Sequence, residues 1–230
     1  NYEYIKLFLM YKNKNFQISD KYSEHLYSGM MGVMMRYCHK TLENFSNNKS
    51  RFEKVLEIGA GVEPHDVYIN HQYGEYHILE TSEFALKHLS SNKKYILHKY
   101  DGKILPFKDE TFDRVIISHS LEHIENSEIF ISKVMKIIKK GGIFSISLPT
   151  DPGVLWRTAR YINGFFKAKK VYKISRLEYD YINATEHINP IFNLISVIRH
   201  NYKNSYEEYF YPLRIKSADI NLFYNVHIYK

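Results

Sequence analysis

Val55-Leu-Glu-Ile-Gly-Ala-Gly61 is a short apolar run that ends in a glycine-spaced turn, with one carboxylate inside it. Val55, Leu56 and Ile58 suit a buried parallel strand covered on both faces. Gly59 and Gly61 let the backbone turn tightly and approach a ligand. A lone Gly-x-Gly also closes ordinary turns, so its meaning depends on the ordered features around it.

Outward from that run, strand-like segments recur at 54–58, 76–80, 95–99, 113–118 and 142–148, with helical stretches clearest at 82–91 and 126–140. In the second helical stretch Ile129, Val134, Ile137 and Ile138 fall near one face. Lys139-Lys140 before Gly141-Gly142 reads as a helix stop, with cations at the negative end of the dipole. Strands alternating with helices imply a parallel sheet joined by right-handed crossovers. Residues 1–50 read as helical and irregular, broken at Asn13 to Asn15 and at Asn47-Asn48. Pro149-Thr-Asp-Pro-Gly153 ends the alternation. Residues 154–205 are mostly helical in pattern, and the tail returns to strand at about 207–215 and 221–229.

At 230 residues the chain fits one domain with an embedded subdomain. Its apolar fraction of 44% and aromatic fraction of 16% indicate a folded globule. The longest apolar stretches fall far below the roughly 20 residues of a membrane span. A single cysteine, Cys38, allows no internal disulfide and no Cys-rich zinc site, and fits a reducing cytoplasm. The net charge of +7 is spread over modest clusters at Lys93-Lys94, Lys139-Lys140 and Lys167 to Lys173. That pattern favours a solvated surface over an anion-binding one, although a phosphorylated or nucleotide-linked substrate would use the same charge. No arginine-rich tail or nucleic-acid module is visible.

In an open parallel sheet, ligands bind beyond the carboxyl ends of the strands, near the point where strand order reverses. Each candidate residue falls at such an end. Glu57 lies beside the glycine turn, where it can support the loop or a ligand ammonium. Glu80 ends the second strand, nineteen positions past Gly61, where a carboxylate can accept hydrogen bonds from both ribose hydroxyls. Asp101-Gly102 follows the third strand, where an adenine edge would be read. Ser118-His119 closes the fourth. Taken singly, Glu80 could cap a helix starting near Ser82, and Asp101-Gly102 could be a plain turn. Position 64 is Pro where a dinucleotide fingerprint has its third glycine, so a nucleoside without phosphates fits better.

These residues, with Leu105-Pro-Phe107, Phe112-Asp-Arg-Val-Ile-Ile-Ser-His119, Leu121-Glu-His-Ile124, Ile138-Lys-Lys-Gly-Gly142 and Leu148-Pro149, resemble class I S-adenosylmethionine-dependent methyltransferases over about 55–150. The resemblance implies an α/β fold: a Rossmann-like, doubly wound, seven-stranded sheet with an antiparallel last strand. It implies a helical cover at 1–50, a cofactor-binding core at 51–150, a mostly helical acceptor-recognition insert at 151–205, and strands at 206–230 that complete the sheet. The implied cofactor is S-adenosyl-L-methionine, released as S-adenosyl-L-homocysteine. Glu57, Gly59, Ala60 and Gly61 would flank its methionine part, Glu80 and Thr81 its ribose, Asp101 and Gly102 its adenine, and Ser118 and His119 its reactive end.

Ser118-His-Ser-Leu-Glu-His-Ile124, Asp151-Pro-Gly-Val-Leu-Trp156 and Glu186-His-Ile-Asn-Pro190 are similar to the small-molecule, type 11-like branch, including enzymes of bacterial surface-glycan and capsule loci. That narrower resemblance implies O-methylation of a sugar, phosphosugar or nucleotide-linked precursor in polysaccharide biosynthesis. A hydroxyl acceptor benefits from a base of near-neutral pKa. His119 is the first choice, followed by His123 and His187. Tyr22, His25 and Tyr27 can cover the cofactor or simply pack.

Four other readings compete. His119-Ser-Leu-Glu-His123 matches the inverted zinc-peptidase pattern, but it follows a buried strand and a nucleoside-site series, so no metal ligand is assigned. An RNA methyltransferase would use the positive charge, yet Ser118-His-Ser-Leu121 is not an amino-group site and Cys38 is not placed to attack a pyrimidine. A small-amine N-methyltransferase also fits the fold, as does a cofactor-binding regulator without catalysis.

Overall fold

The computed structural model describes residues 27, 29–46, 49–170 and 174–230. Asn13 to Asn15, Asn47-Asn48, Tyr22 and His25 lie outside them, as do residues 171–173 of the lysine-rich segment.

Seven strands form one sheet in the order β3-β2-β1-β4-β5-β7-β6. They are β1 (Arg51–Ile58), β2 (Gln72–Glu80), β3 (Tyr95–Lys99), β4 (Phe112–Ser118), β5 (Ile138–Pro149), β6 (Tyr206–Tyr211) and β7 (Phe223–Tyr229). β1 to β5 pair in parallel, β7 runs antiparallel to β5, and β6 runs antiparallel to β7. This is the expected Rossmann-like sheet with its antiparallel end. Strand order reverses between β1 and β4, so the crevice at their carboxyl ends is where a ligand finds room.

The helices are α1 (Gly29–Thr41), α2 (Glu83–Leu89), α3 (Ser127–Ile137), α4 (Val154–Lys170), α5 (Arg176–Glu186) and α6 (Ile191–Asn201). Alternation along the strands divides the core in two. Leu56, Ile58, Val115 and Ile117 face Ile131 and Val134 of α3 and Leu194 and Ile198 of α6. Val55, Ile78 and Ile116 face the other way, with Leu42 and Leu89. On α6 the buried set Ile191, Leu194, Ile195 and Ile198 follows the helical stripe. Among the described residues no helix is long and apolar enough to cross a membrane.

One boundary departs from expectation. α3 ends at Ile137, and Ile138 to Gly142 already belong to β5 instead of a helix stop. Gly141 has φ +72°, and the register against β4 shifts between Phe112 and Arg114. A Cβ on Gly142 would lie 2.7 Å from the Asp113 carbonyl, so the glycines allow this strand irregularity. Lys139 pairs with Asp113 at 3.0 Å instead of serving a helix dipole.

Beneath the sheet, fully buried Arg114 holds Glu43 through two nitrogens at 2.8 and 3.1 Å. Burial alone would raise the Glu43 carboxyl, but Arg114 and His65 hold it well below the carboxylate range. His65 Nε2 donates to Glu43 at 2.7 Å, which leaves Nδ1 to accept from His39 Nδ1 at 2.8 Å. His39 Nε2 then accepts from the Tyr27 hydroxyl at 2.7 Å. Burial lowers both histidines, so this relay is neutral and fastens α1 to the loop after β1.

Candidate functional site

A cavity of about 660 Å³ opens at the carboxyl ends of β1, β2 and β4, and every predicted site residue except Asp101 borders it. Its floor is the glycine turn, with φ of +72° at Gly59 and +59° at Gly61. A Cβ on Gly59 would lie 2.5 Å from Ser120 Oγ, whereas no described residue lies within 4 Å of one on Gly61. The first glycine is needed for packing as well as conformation; the second leaves room for a ligand.

Two buried carboxyl groups shape this floor. Glu57 accepts from the His65 N–H at 2.9 Å and from the Tyr76 hydroxyl at 2.7 Å, so it braces the loop. Burial pushes its carboxyl up to about 8 despite those hydrogen bonds. Glu80 Oε2 accepts from Gly61 N–H at 3.0 Å, and its Oε1 accepts from Thr81 and Ser82 N–H at 2.7 and 2.9 Å. Glu80 therefore closes the turn into α2 while still lining the cavity, and Ser82 is the helix cap. Asp101 behaves as a plain turn residue: it is exposed, and its carboxylate accepts from the Lys103 and Ile104 amides. Tyr100 and Gly102 border the cavity there instead.

At the end of β4 the chain bends through His119, at φ +51°. Its Nε2 lies 3.2 Å from Cys38 Sγ, and its ring meets the Phe223 face edge-on at 5.5 Å. Burial lowers this imidazole to about 4, so it is neutral and weakly basic at neutral pH. The Cys38 thiol, raised to about 12 by burial, stays protonated and also meets Ser147 Oγ at 2.9 Å. Ser118 Oγ is buried without a hydrogen-bond partner among the described residues.

The far wall comes from the insert. His187 Nδ1 donates to Asp151 Oδ2 at 2.8 Å, and Arg160 holds the same oxygen at 2.6 Å. His123 Nδ1 donates to the Glu186 carbonyl at 2.7 Å. The two rings meet edge to face at 5.0 Å, beside buried Glu122. Asn189 Nδ2 reaches the Leu121, Glu122 and Ile124 carbonyls at 3.2, 3.3 and 2.7 Å, clasping the two segments together.

His-x-x-Glu-His therefore does not form the helical face of the inverted zinc-peptidase pattern. His119 precedes a short 3-10 turn, Leu121–His123, and is directed to Cys38, while His123 is paired with His187. Sequence reasoning assigned no role to Asp151 or Asn189. Their only signal was their place in the two quoted insert motifs, Asp151 in the first and Asn189 in the second.

Residues 56–146 match the family model of a methyltransferase domain. A demethylmenaquinone methyltransferase of Streptomyces griseus is 45% identical over 53 residues, which are 22% of this chain and 23% of that protein. The sterol 24-C-methyltransferase of Schizosaccharomyces pombe is 28% identical over 102 residues, 40% of this chain and 27% of that protein. The matched stretches thus span about a quarter of the length of these two curated relatives. The solved structure of the plantazolicin methyltransferase in complex with SAH superposes with a TM-score of 0.57 at 12% identity, covering 96% of this chain and 99% of the other. That likeness is one of fold.

Proposed function

We infer that this chain is a class I S-adenosylmethionine-dependent methyltransferase, and that it methylates an oxygen of a small polar acceptor. The observation that carries this reading is the convergence of the glycine turn, Glu57 and Glu80 on the same cavity that His123, from the turn after β4, and His187, from the insert, also border. The methyltransferase domain matched at 56–146 and the fold support S-adenosylmethionine as the cofactor.

The residues present fit that cofactor. Among the described residues Gly61 offers open space and Ser118 Oγ lacks a partner, and Glu80 keeps a carboxylate at the strand end where ribose hydroxyls would sit. When bound, the sulfonium supplies an activated methyl group for in-line displacement. The chain holds the turn rigid through Glu57, takes the ribose through Glu80, and aligns the acceptor along the Glu122, His123 and His187 wall. Orientation of this kind is worth several kcal/mol of barrier. His119, neutral and engaged with Cys38, is a positioning residue under the reacting groups, which moves the acceptor-side role to His123 and His187.

The acceptor class proposed from the insert motifs is a sugar, phosphosugar or nucleotide-linked precursor of surface polysaccharide, methylated in the cytoplasm. A second reading, C-methylation of an apolar acceptor, is favoured by the named relatives and by Trp156, Ile174, Tyr179 and Ile182 on the far wall. A screen with labelled cofactor over sugars, phosphosugars, nucleotide sugars, amines and quinols separates them. A methyl ether on a hydroxyl acceptor supports the first reading, and a new carbon–methyl bond selects the second. Absence of binding to both S-adenosylmethionine and S-adenosylhomocysteine in calorimetry sinks both.

A further inference from the structure

We propose that Glu122, His123 and His187 form a binding site for a first-row divalent metal ion on the acceptor side of the cavity. One ligand atom from each lies within 4.8 Å of the others. The distances are informative in themselves. His123 Nε2 stands 3.8 Å from Glu122 Oε1, too long for a hydrogen bond, and Glu122 Oε2 is buried with no hydrogen-bond partner among the described residues. Polar atoms face one another there without satisfying one another, as they do around a bridging group.

The hydrogen bonds behind the ligands set the tautomers. His123 gives its Nδ1 proton to the Glu186 carbonyl and His187 gives its own to Asp151, so both Nε2 atoms carry lone pairs. A metal-bound imidazole is normally oriented in this way by a carbonyl or carboxylate on its other nitrogen. Asp151 is itself held by Arg160, and Asn189 ties the two ligand-bearing segments to each other. The set is therefore supported from behind on both sides.

Two imidazoles and a carboxylate suit zinc, manganese, iron or cobalt, and the absence of a thiolate disfavours soft ions. Bonds of about 2.0–2.2 Å place ligand atoms roughly 3–3.5 Å apart, so a small side-chain closure completes the site. His123, the most exposed of the three, can make it. Three protein ligands leave positions for an exogenous oxygen.

The role of the ion rests on the methyl-transfer reading, although the site itself does not. Bound to the ion, the acceptor hydroxyl becomes more acidic. It releases its proton to solvent, its oxygen forms the bond to the methyl carbon, and the methyl–sulfur bond breaks with its electron pair going to sulfur. The products are a methyl ether, S-adenosylhomocysteine and a proton.

The whole 230-residue chain, treated with chelator and titrated with Co²⁺, tests the site by visible absorption. One equivalent should bind, and Glu122→Gln and His187→Ala should each weaken binding by roughly 100-fold or more, at least the effect typical of losing a supporting partner. His123→Ala, at a more exposed position, provides the same loss if either buried change unfolds the chain. Parallel calorimetry with S-adenosylhomocysteine should give affinities within a few-fold of wild type in each folded variant. No Co²⁺ spectrum in the folded wild type, or equal Co²⁺ affinity in wild type and all folded variants, overturns the proposal. Metal binding without S-adenosylhomocysteine binding refutes the methyl-transfer reading alone; the reverse pattern refutes the metal site alone.

Discussion

Glu80 Oε2 accepts a hydrogen bond from the Gly61 backbone N–H at 3.0 Å, joining the end of β2 to the turn that follows β1. One carboxylate thus holds the turn and stands at the proposed ribose position. Glu80→Ala should weaken S-adenosylhomocysteine binding about 10- to 100-fold, the scale of one or two hydrogen bonds to a charged group. Calorimetry checks it, and an unchanged dissociation constant removes Glu80 from the cofactor site.

Gly59 and Gly61 share the left-handed conformation but not the same surroundings. Gly59→Ala meets Ser120 Oγ at 2.5 Å as well as the backbone strain, whereas Gly61→Ala meets only the strain. The strain costs about 1–2 kcal/mol. Thermal unfolding should therefore show Gly59→Ala to be the more destabilised of the two. Equal losses would mean that Ser120 moves aside freely.

Glu57 should make the fold sensitive to rising pH. Its folded carboxyl titrates near 8, against an ordinary value near 4.5. Between those values the unfolded chain has released this proton and the folded chain has not, so the group's contribution falls as pH rises and levels off above 8. Glu57→Gln lacks the titration. The melting temperature of the variant relative to wild type should climb from pH 5 to pH 8, by the equivalent of on the order of a few kcal/mol. A pH-independent difference would mean that Glu57 ionises normally in the fold.

Removing the carboxylate under Arg114 leaves a buried guanidinium without its partner. Glu43→Ala should cost about 3–5 kcal/mol in chemical unfolding. Because the folded Glu43 carboxyl is held below its ordinary value, its stabilisation is present above about 4.5 and is lost as pH falls below that. The variant should show a shallower acid limb than wild type. A loss within 1 kcal/mol would show that solvent reaches Arg114.

His119→Ala should lower turnover more than cofactor affinity, since its ring borders the cavity at the end of β4 and its Nε2 is occupied by Cys38. Steady-state kinetics with calorimetry separates the two effects. Full turnover across neutral pH rejects the positioning role of His119.

The sheet was legible because Val55 to Ile58 and Val115 to Ile117 bury both faces and are therefore almost wholly apolar, Glu57 being the one exception. The α3–β5 boundary was not, because Lys-Lys-Gly-Gly reads equally as a helix stop and as an irregular strand start. Only pairing of Ile138 with Phe112 decides between them. Glu80 makes the local bonds to the turn and the helix start while its side chain lines the cavity, where the ribose role stands as a proposal. Asp101 makes its hydrogen bonds locally, as an exposed Asp readily accepts from amides two and three residues on.

By itself, the order of apolar strands, glycine turn and strand-end carboxylates determined the α/β sheet and the crevice where a nucleoside would bind, because those features act over a few residues. The other side of the cavity was settled by contacts across 36 to 81 residues: Cys38 with His119, His187 with Asp151, and His123 with the Glu186 carbonyl. Such partners choose which imidazole nitrogen keeps its lone pair. That choice depends on atoms a few ångströms away in space, and only the tertiary structure supplies them.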